Sequence, residues 1–109
     1  MAVRKEYIED LEKLKDEVQR MGELARESAK NAIKALVQRD TALASRISKE
    51  NAVIDKLELD IENRCMRLLA LQQPMASDLR TIGTCMKIIT DFDRISDLAG
   101  DIAEIVHRI

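Results

Sequence analysis

Three stretches of this chain carry apolar side chains in steps of three and four residues, and only two short breaks separate them. Tyr7, Leu11, Leu14, Val18, Met21, Ala25, Ser28, Ala32 and Ala35 form the first series. That alternation keeps one stripe of an α-helix turned toward a partner, as in a heptad seam. From Ala25 onward the seam holds only small side chains, so a neighbouring helix can approach closely there. Leu43, Ile47, Ile54, Leu57, Ile61, Cys65 and Leu68 mark the second stripe, with Glu50 in its middle. Pairing with a Lys or Arg of another helix is the expected reason for a carboxylate at that place. In the third stretch, Cys85, Phe92, Ala99 and Val106 take one core column, and Ile88, Ile95, Ile102 and Ile109 the next. Ile82, Ile89, Ser96 and Ala103 widen that stripe by one position.

The first helix is expected from about Val3 to Gln38 and the second to end near Leu71. Asp40 follows the break at Gln38–Asp40 and is a good N-cap. The second break, Gln72–Pro74, holds the only proline, which suits a helix's first turn and not its interior. Asp78 then falls in that first turn, where a negative charge favours the helix dipole. Helices of roughly 30–35 residues would each be about 45–55 Å long. The expected fold is all-α: an antiparallel three-helix up-down-up bundle with a left-handed supercoil, residues 1–109 forming a single domain.

Composition narrows the function classes. Three glycines, one proline and two aromatic residues leave a core of Leu, Ile, Val, Met and Ala. A net charge of −2 with 35% charged residues describes a soluble chain without the basic field that nucleic acid needs. The apolar runs are too short to cross a bilayer, and no signal peptide precedes the first helix, so no direct membrane insertion and a cytoplasmic location are expected. Cys65 and Cys85 lack metal or redox spacing and read as small buried hydrophobes. No Ser, Cys or Thr has a placed His partner, and there is neither a dinucleotide fingerprint nor a P-loop, so no enzymatic role is expected.

The feature left for function is acidic. Asp93, Asp97 and Asp101 stack four residues apart on one side of the third helix, where like charges repel. In the heptad frame above they face outward together with Glu104. One reading is a solvated face, with Arg94 pairing to Asp91 or Asp97. The other is a hard-cation site, since carboxylates at this spacing can share ions and suit Mg, Ca, Mn or oxidised iron better than zinc. Other groups would have to complete the coordination. Glu104 and His107 form one Glu-x-x-His pair, half of a di-iron signature, but the chain has a single histidine and both residues face outward. Leu79 and Met86 share the outward column of Asp93. They are candidates for a partner surface or for covering a gap to another helix of the bundle.

Two segments of the third helix carry a family resemblance. Ala70–Arg80, ALQQPMASDLR, and Asp91–Ala103, DFDRISDLAGDIA, resemble the PhoU family, and the stretches from Met21 and Glu50 fit its earlier helices. The resemblance implies an all-helical domain, usually one of two tandem three-helix repeats, whereas these 109 residues carry one. It implies a metal-binding adaptor that negatively regulates phosphate uptake and phosphate-starvation signalling through a phosphate ABC transporter and a sensor histidine kinase. The family's metal motif, Glu/Asp-x-x-x-Asp, falls on Asp93 and Asp97, with iron, Mg or Mn as the expected ion. Asp101 is a third candidate ligand at a position where the family often has Asn. Asp93 and Ser96 replace the usual Glu and Gly. Leu79, Arg80 and Met86 are the candidate partner contacts, and a homodimer could supply the pairing that a second repeat gives. Alternatives from the same residues are a helical interaction module, or a cytoplasmic tail of a sodium–phosphate cotransporter, with no metal role.

Overall fold

The computed structural model describes residues 2–71 and 75–109 of the chain. Those residues form three helices, α1 (Ala2–Gln38), α2 (Thr41–Leu71) and α3 (Ala76–Arg108), and no strand. Each helix packs against both others in a rod of 58 × 20 × 16 Å. Among the described residues, no helix is long and apolar enough to cross a membrane. The expected break at Gln72–Pro74, with Pro74 opening the third helix, lies outside the described residues. From Met75 onward the backbone enters α3 with no side-chain cap, and Asp78 sits in the first turn as expected.

The turn between α1 and α2 takes only two residues. Arg39 adopts a left-handed backbone (φ 53°), the conformation that usually calls for glycine after a helix. Its N–H donates to the Leu36 carbonyl and the Asp40 N–H to the Ala35 carbonyl, at 3.4 and 2.9 Å. These two bonds satisfy the last carbonyls of α1 in a Schellman arrangement. Asp40 then caps the next helix, its Oδ1 accepting from the Leu43 N–H at 3.0 Å.

Cross-links fix how the helices run. Arg64 of α2 pairs with Asp10 at 2.8 Å and also with Glu17 of α1, and Arg67 reaches Asp10 at 3.3 Å, so α1 and α2 are antiparallel. Asn51 of α2 contacts Ser96 of α3, while Ser45, further back along α2, meets His107, further along α3. These two helices are antiparallel as well, which leaves α1 and α3 parallel. Gly22 lets the Phe92 ring of α3 lie close against α1: a Cβ there would stand 2.9 Å from it.

The seam expected on α1 is buried or half-buried throughout, and so is the stripe expected on α2. The frame expected on α3 needs correction. Its core line is Ile82, Cys85, Ile89, Phe92, Ser96, Ala99, Ala103 and Val106, in unbroken steps of three and four. The column Ile88, Ile95, Ile102 and Ile109 is turned aside: Ile95 is 39% exposed, Ile109 63%, and the other two are half-buried. The reason lies on α2. Asn51, at the centre of the bundle, accepts hydrogen bonds through Oδ1 from Ser96 Oγ (2.8 Å) and Ser28 Oγ (3.3 Å) and donates through Nδ2 to the Ser96 carbonyl (3.1 Å). Ser28 and Ser96 can therefore be fully buried, because their hydroxyls are satisfied. Gly100 clears the space, since a Cβ there would stand 2.6 Å from Asn51 Nδ2. Glu50 is half-buried, and among the described residues it makes no ion pair. Its expected cross-helix pairing is not formed.

This polar layer divides the core. On the side of the α1 N-terminus, Leu14, Met21, Ile54, Ile61, Leu68, Ile82 and Ile89 pack with few small residues among them. On the other side Ala32, Ala35, Ala44, Ala99 and Ala103 surround Leu43, Ile47 and Val106.

Two expectations test this frame. Ile89→Asp should prevent folding, because an unpaired buried charge costs several kcal/mol, comparable with a small domain's whole stability of about 5–15 kcal/mol. Ile95→Asp should fold and lose only about 1 kcal/mol. Urea denaturation followed by circular dichroism separates the two, and a non-folding Ile95→Asp would restore the earlier frame. By the same measurement Arg39→Gly should gain about 0.5–1 kcal/mol by relieving the left-handed backbone.

Candidate metal centre

Successive turns of α3 carry Asp93, Asp97 and Asp101, as the spacing requires. Only the first two join a cluster. The antiparallel course of α2 brings Asp55 against them, and one carboxylate oxygen from each of Asp55, Asp93 and Asp97 lies within 4.8 Å of the others. Asp101 is exposed and stands outside this group. Asp55 and Asp97 face water, whereas Asp93 is half-buried and its Oδ1 is buried with no hydrogen-bond partner. Asp93 is thus not fully outward, because its column on α3 faces α2.

A fourth acid sits behind the three. Glu58 of α2 is half-buried. Burial raises its carboxyl to about 7, with Asp93, Glu62, Asp55 and Asp97 adding repulsion. Burial likewise raises Asp93 to about 6, helped by the neighbouring carboxylates of Asp55 and Asp97, which repel its charged form and favour its protonated one. Among the described residues, no Lys or Arg forms an ion pair with these acids. Arg94 turns to Asp91 instead, at 3.9 Å. An all-oxygen donor set with an orphaned buried oxygen fits a hard cation, which would be held by Asp55, Asp93 and Asp97. It fits zinc poorly, since neither histidine nor cysteine is in the group.

Asp55 and Glu58 were absent from the sequence-based candidates. A strict alternation of three and four through Ala44, Ile47, Asn51, Ile54, Glu58, Ile61, Cys65 and Leu68 lands on Glu58, so the α2 stripe itself contained that signal. Asp55 lies on the flank of the stripe and needed the pairing of α2 with α3.

The remaining candidates have local partners. Glu104 is exposed and pairs with Arg108 at 3.2 Å, and His107 Nε2 is 3.4 Å from Ser45 Oγ. Burial raises the Cys65 thiol to about 11 and raises Cys85 also, so both are kept from forming thiolates. Leu79, Arg80 and Met86 are exposed. Leu79 and Met86 continue the flank of Asp93 toward the α3 N-terminus.

Residues 18–106 match the PhoU domain family. The chain is 42% identical over 107 residues to a phosphate-specific transport system accessory protein PhoU homolog of Clostridium acetobutylicum, covering 97% of this chain and 49% of that protein. With the Aquifex aeolicus homolog of the same description it shares 43% identity over 95 residues, 87% of this chain and 43% of that protein. The chain belongs to the PhoU family. It spans about half the length of the curated relatives it matches.

The raised carboxyls set a pH dependence. Folded Glu58 binds a proton up to about pH 7, whereas unfolded glutamic acid loses it near its ordinary value. The folded state therefore holds the extra proton between those limits, and its stability falls as pH rises through them. Glu58→Gln, measured by urea denaturation in chelator, should leave stability near wild type at about pH 4. It should exceed wild type at pH 8, and an equal difference at both pH values would show that the charge is not the cause.

Proposed function

We propose that this chain is a cation-binding regulatory adaptor of phosphate transport, acting by contact and not by turnover. The observation that carries the reading is the convergence of Asp55, Asp93 and Asp97 from two helices around the orphaned Asp93 Oδ1, in a chain of the PhoU family. A bound hard cation would replace mutual repulsion with coordination and tie α2 to α3. Magnesium, manganese or iron suits the donors, with water, phosphate or a partner group completing the sphere.

The relatives' description as accessory proteins of a phosphate-specific transport system supports a role in regulating phosphate uptake. In this reading the chain works in the cytoplasm, contacts a phosphate ABC transporter or its sensor histidine kinase, and dampens phosphate uptake and the starvation response. Exposed Leu79, Arg80 and Met86, beside the acids on α3, are the surface proposed for that contact. Apolar side chains next to a charged, cation-dependent patch let the ion control how the partner is met.

A second reading has one observation in its favour. Carboxyls raised to about 6 and about 7 can relieve their repulsion by holding protons, which would leave a helical interaction module with no metal.

Calorimetric titration with Mg, Mn and ferrous iron at pH 7.5 decides between them. The cation reading expects saturable binding by the wild type and its loss in Asp93→Asn/Asp97→Asn and in Asp55→Asn, each variant still helical. Asp101→Asn should bind as the wild type does. A ligand at about 100 times its Kd should also add about 2.7 kcal/mol to wild-type stability. Equal binding by wild type and the double variant would place the ion elsewhere, and absence of binding by the wild type would leave the proton-holding module.

A further inference from the structure

The carboxylate cluster is one end of a longer groove between α2 and α3. On α2, Asp55, Glu62 and Leu69 follow one another at seven-residue steps, and on α3 Leu79, Met86 and Asp93 do the same. The two helices are antiparallel, and Asp55 meets Asp93. One heptad further, about 10 Å along, Glu62 stands level with Met86, and a second heptad sets Leu69 level with Leu79. Met66 lies one turn from both Glu62 and Leu69, and Met75 one turn before Leu79. The groove thus runs from acids at one end to apolar side chains at the other. Met66, Leu69, Met75, Leu79 and Met86 are each between 36% and 61% exposed. Three of the chain's five methionines are among them, and methionine's unbranched, polarizable side chain adapts to varied apolar partners. An apolar strip open to water and bordered by charge marks a contact site.

We propose that this α2/α3 groove receives a basic amphipathic helix of a partner protein. The partner's apolar side chains lie on Met66, Leu69, Leu79 and Met86, and its Lys or Arg side chains reach Asp55, Glu62 and Asp97. Charge commits the occupant. Asp55, Glu58, Glu62, Asp93 and Asp97 gather at one end of the groove, and among the described residues no Lys or Arg forms an ion pair with any of them. An acidic segment would be repelled there, whereas a basic one supplies the missing partners. Periodicity commits it as well. Columns seven residues apart on both walls match the spacing at which an amphipathic helix presents its anchors. From Asp55 to Leu69 the groove runs about 21 Å, or four helical turns. Arg80 is turned about 100° from Leu79 around α3 and stays outside the groove. The proposal rests on the adaptor reading and deepens it, because it gives the chemistry of the partner that meets Leu79 and Met86. A partner's basic side chain and a hard cation would neutralise the same carboxylates, so the two compete.

Fluorescence anisotropy with a labelled Leu/Lys peptide of about 18 residues, five helical turns, tests the proposal. Its leucines recur at steps of three and four, and the titration is run in chelator at physiological salt, which screens attraction between exposed charges. The wild type should bind one peptide per chain, and the same peptide with Glu for every Lys should not bind. Met66→Gln/Leu79→Gln should weaken binding on the order of tenfold or more, and Asp55→Asn/Asp97→Asn should weaken it also. Leu98→Gln, exposed on the flank of α3 away from α2, should bind as the wild type does, and every variant should keep wild-type helicity by circular dichroism. A wild type that fails to bind the Leu/Lys peptide overturns the proposal. So does equal binding of the Leu/Glu peptide, or binding that survives Met66→Gln/Leu79→Gln. Failure of the cation reading would show separately, as peptide binding in chelator that added manganese does not weaken, and would leave the groove assignment standing.

Discussion

The amide of Asn51 holds the three helices in one register. Apolar seams alone tolerate sliding by a heptad, because aliphatic contacts have no direction. A half-buried amide that serves two buried serine hydroxyls and a backbone carbonyl does not, since each buried polar group left without a partner costs about 1–3 kcal/mol. Only one alignment of α1, α2 and α3 brings Ser28, Asn51 and Ser96 together. The carboxylate cluster follows from that alignment. One turn along α2 from Asn51 is Asp55, and one turn back along α3 from Ser96 is Asp93, so the antiparallel helices must set the two acids side by side. A single polar residue in a heptad seam fixing register is a known device, and here it also assembles the site.

How much could be read from the sequence depended on whether a position could be judged from its own helix. The α1 seam is interrupted by nothing more polar than a serine, and the alternation placed it correctly from Tyr7 to Ala35. The capping role of Asp40 was equally local. On α3 the isoleucines at 88, 95, 102 and 109 looked like better core than Ser96 and Ala103. The opposite holds because Ser96 is satisfied by Asn51, which lies 45 positions away in the chain. Pair information of that kind is absent from any one helix's pattern. The site divides in the same way. Asp93 and Asp97 could be read from stacking on one helix and from the family motif, while Asp55 required the α2/α3 register. Glu58 was hidden behind Leu57, which looks like the seam residue until the strict alternation is followed through Asn51.

The division of the core explains how a bundle can carry repelling acids. Large aliphatic side chains concentrate in the half between the polar layer and the α1 N-terminus, and burial of that surface supplies most of the hydrophobic driving force. The acids sit between that half and the alanine-rich one, where α2 and α3 are held by packing on one side and by the Asn51 hydrogen bonds on the other. Helices fixed at two points can keep like charges close without splaying. Local rules broken at one place and compensated elsewhere are what a functional site looks like in an otherwise consistent sequence.

Half-burial is also what makes the cluster responsive. Fully exposed carboxylates would stay ionised at neutral pH and bind a cation weakly in water. Fully buried ones would keep their protons. Here Asp93 is raised to about 6, with Glu58 behind it raised to about 7, so protons and a hard cation would compete for the Asp93 oxygens somewhat below neutrality. A cation held there, as proposed, must displace protons on entry, and its affinity must fall as the solution becomes more acidic. Because the carboxylates come from two helices joined through one polar layer, loss of a bound ion would restore repulsion between α2 and α3 beside Met86 and Leu79. A change in occupancy would thereby reach Leu79 and Met86, the surface proposed for partner contact, without any change of fold.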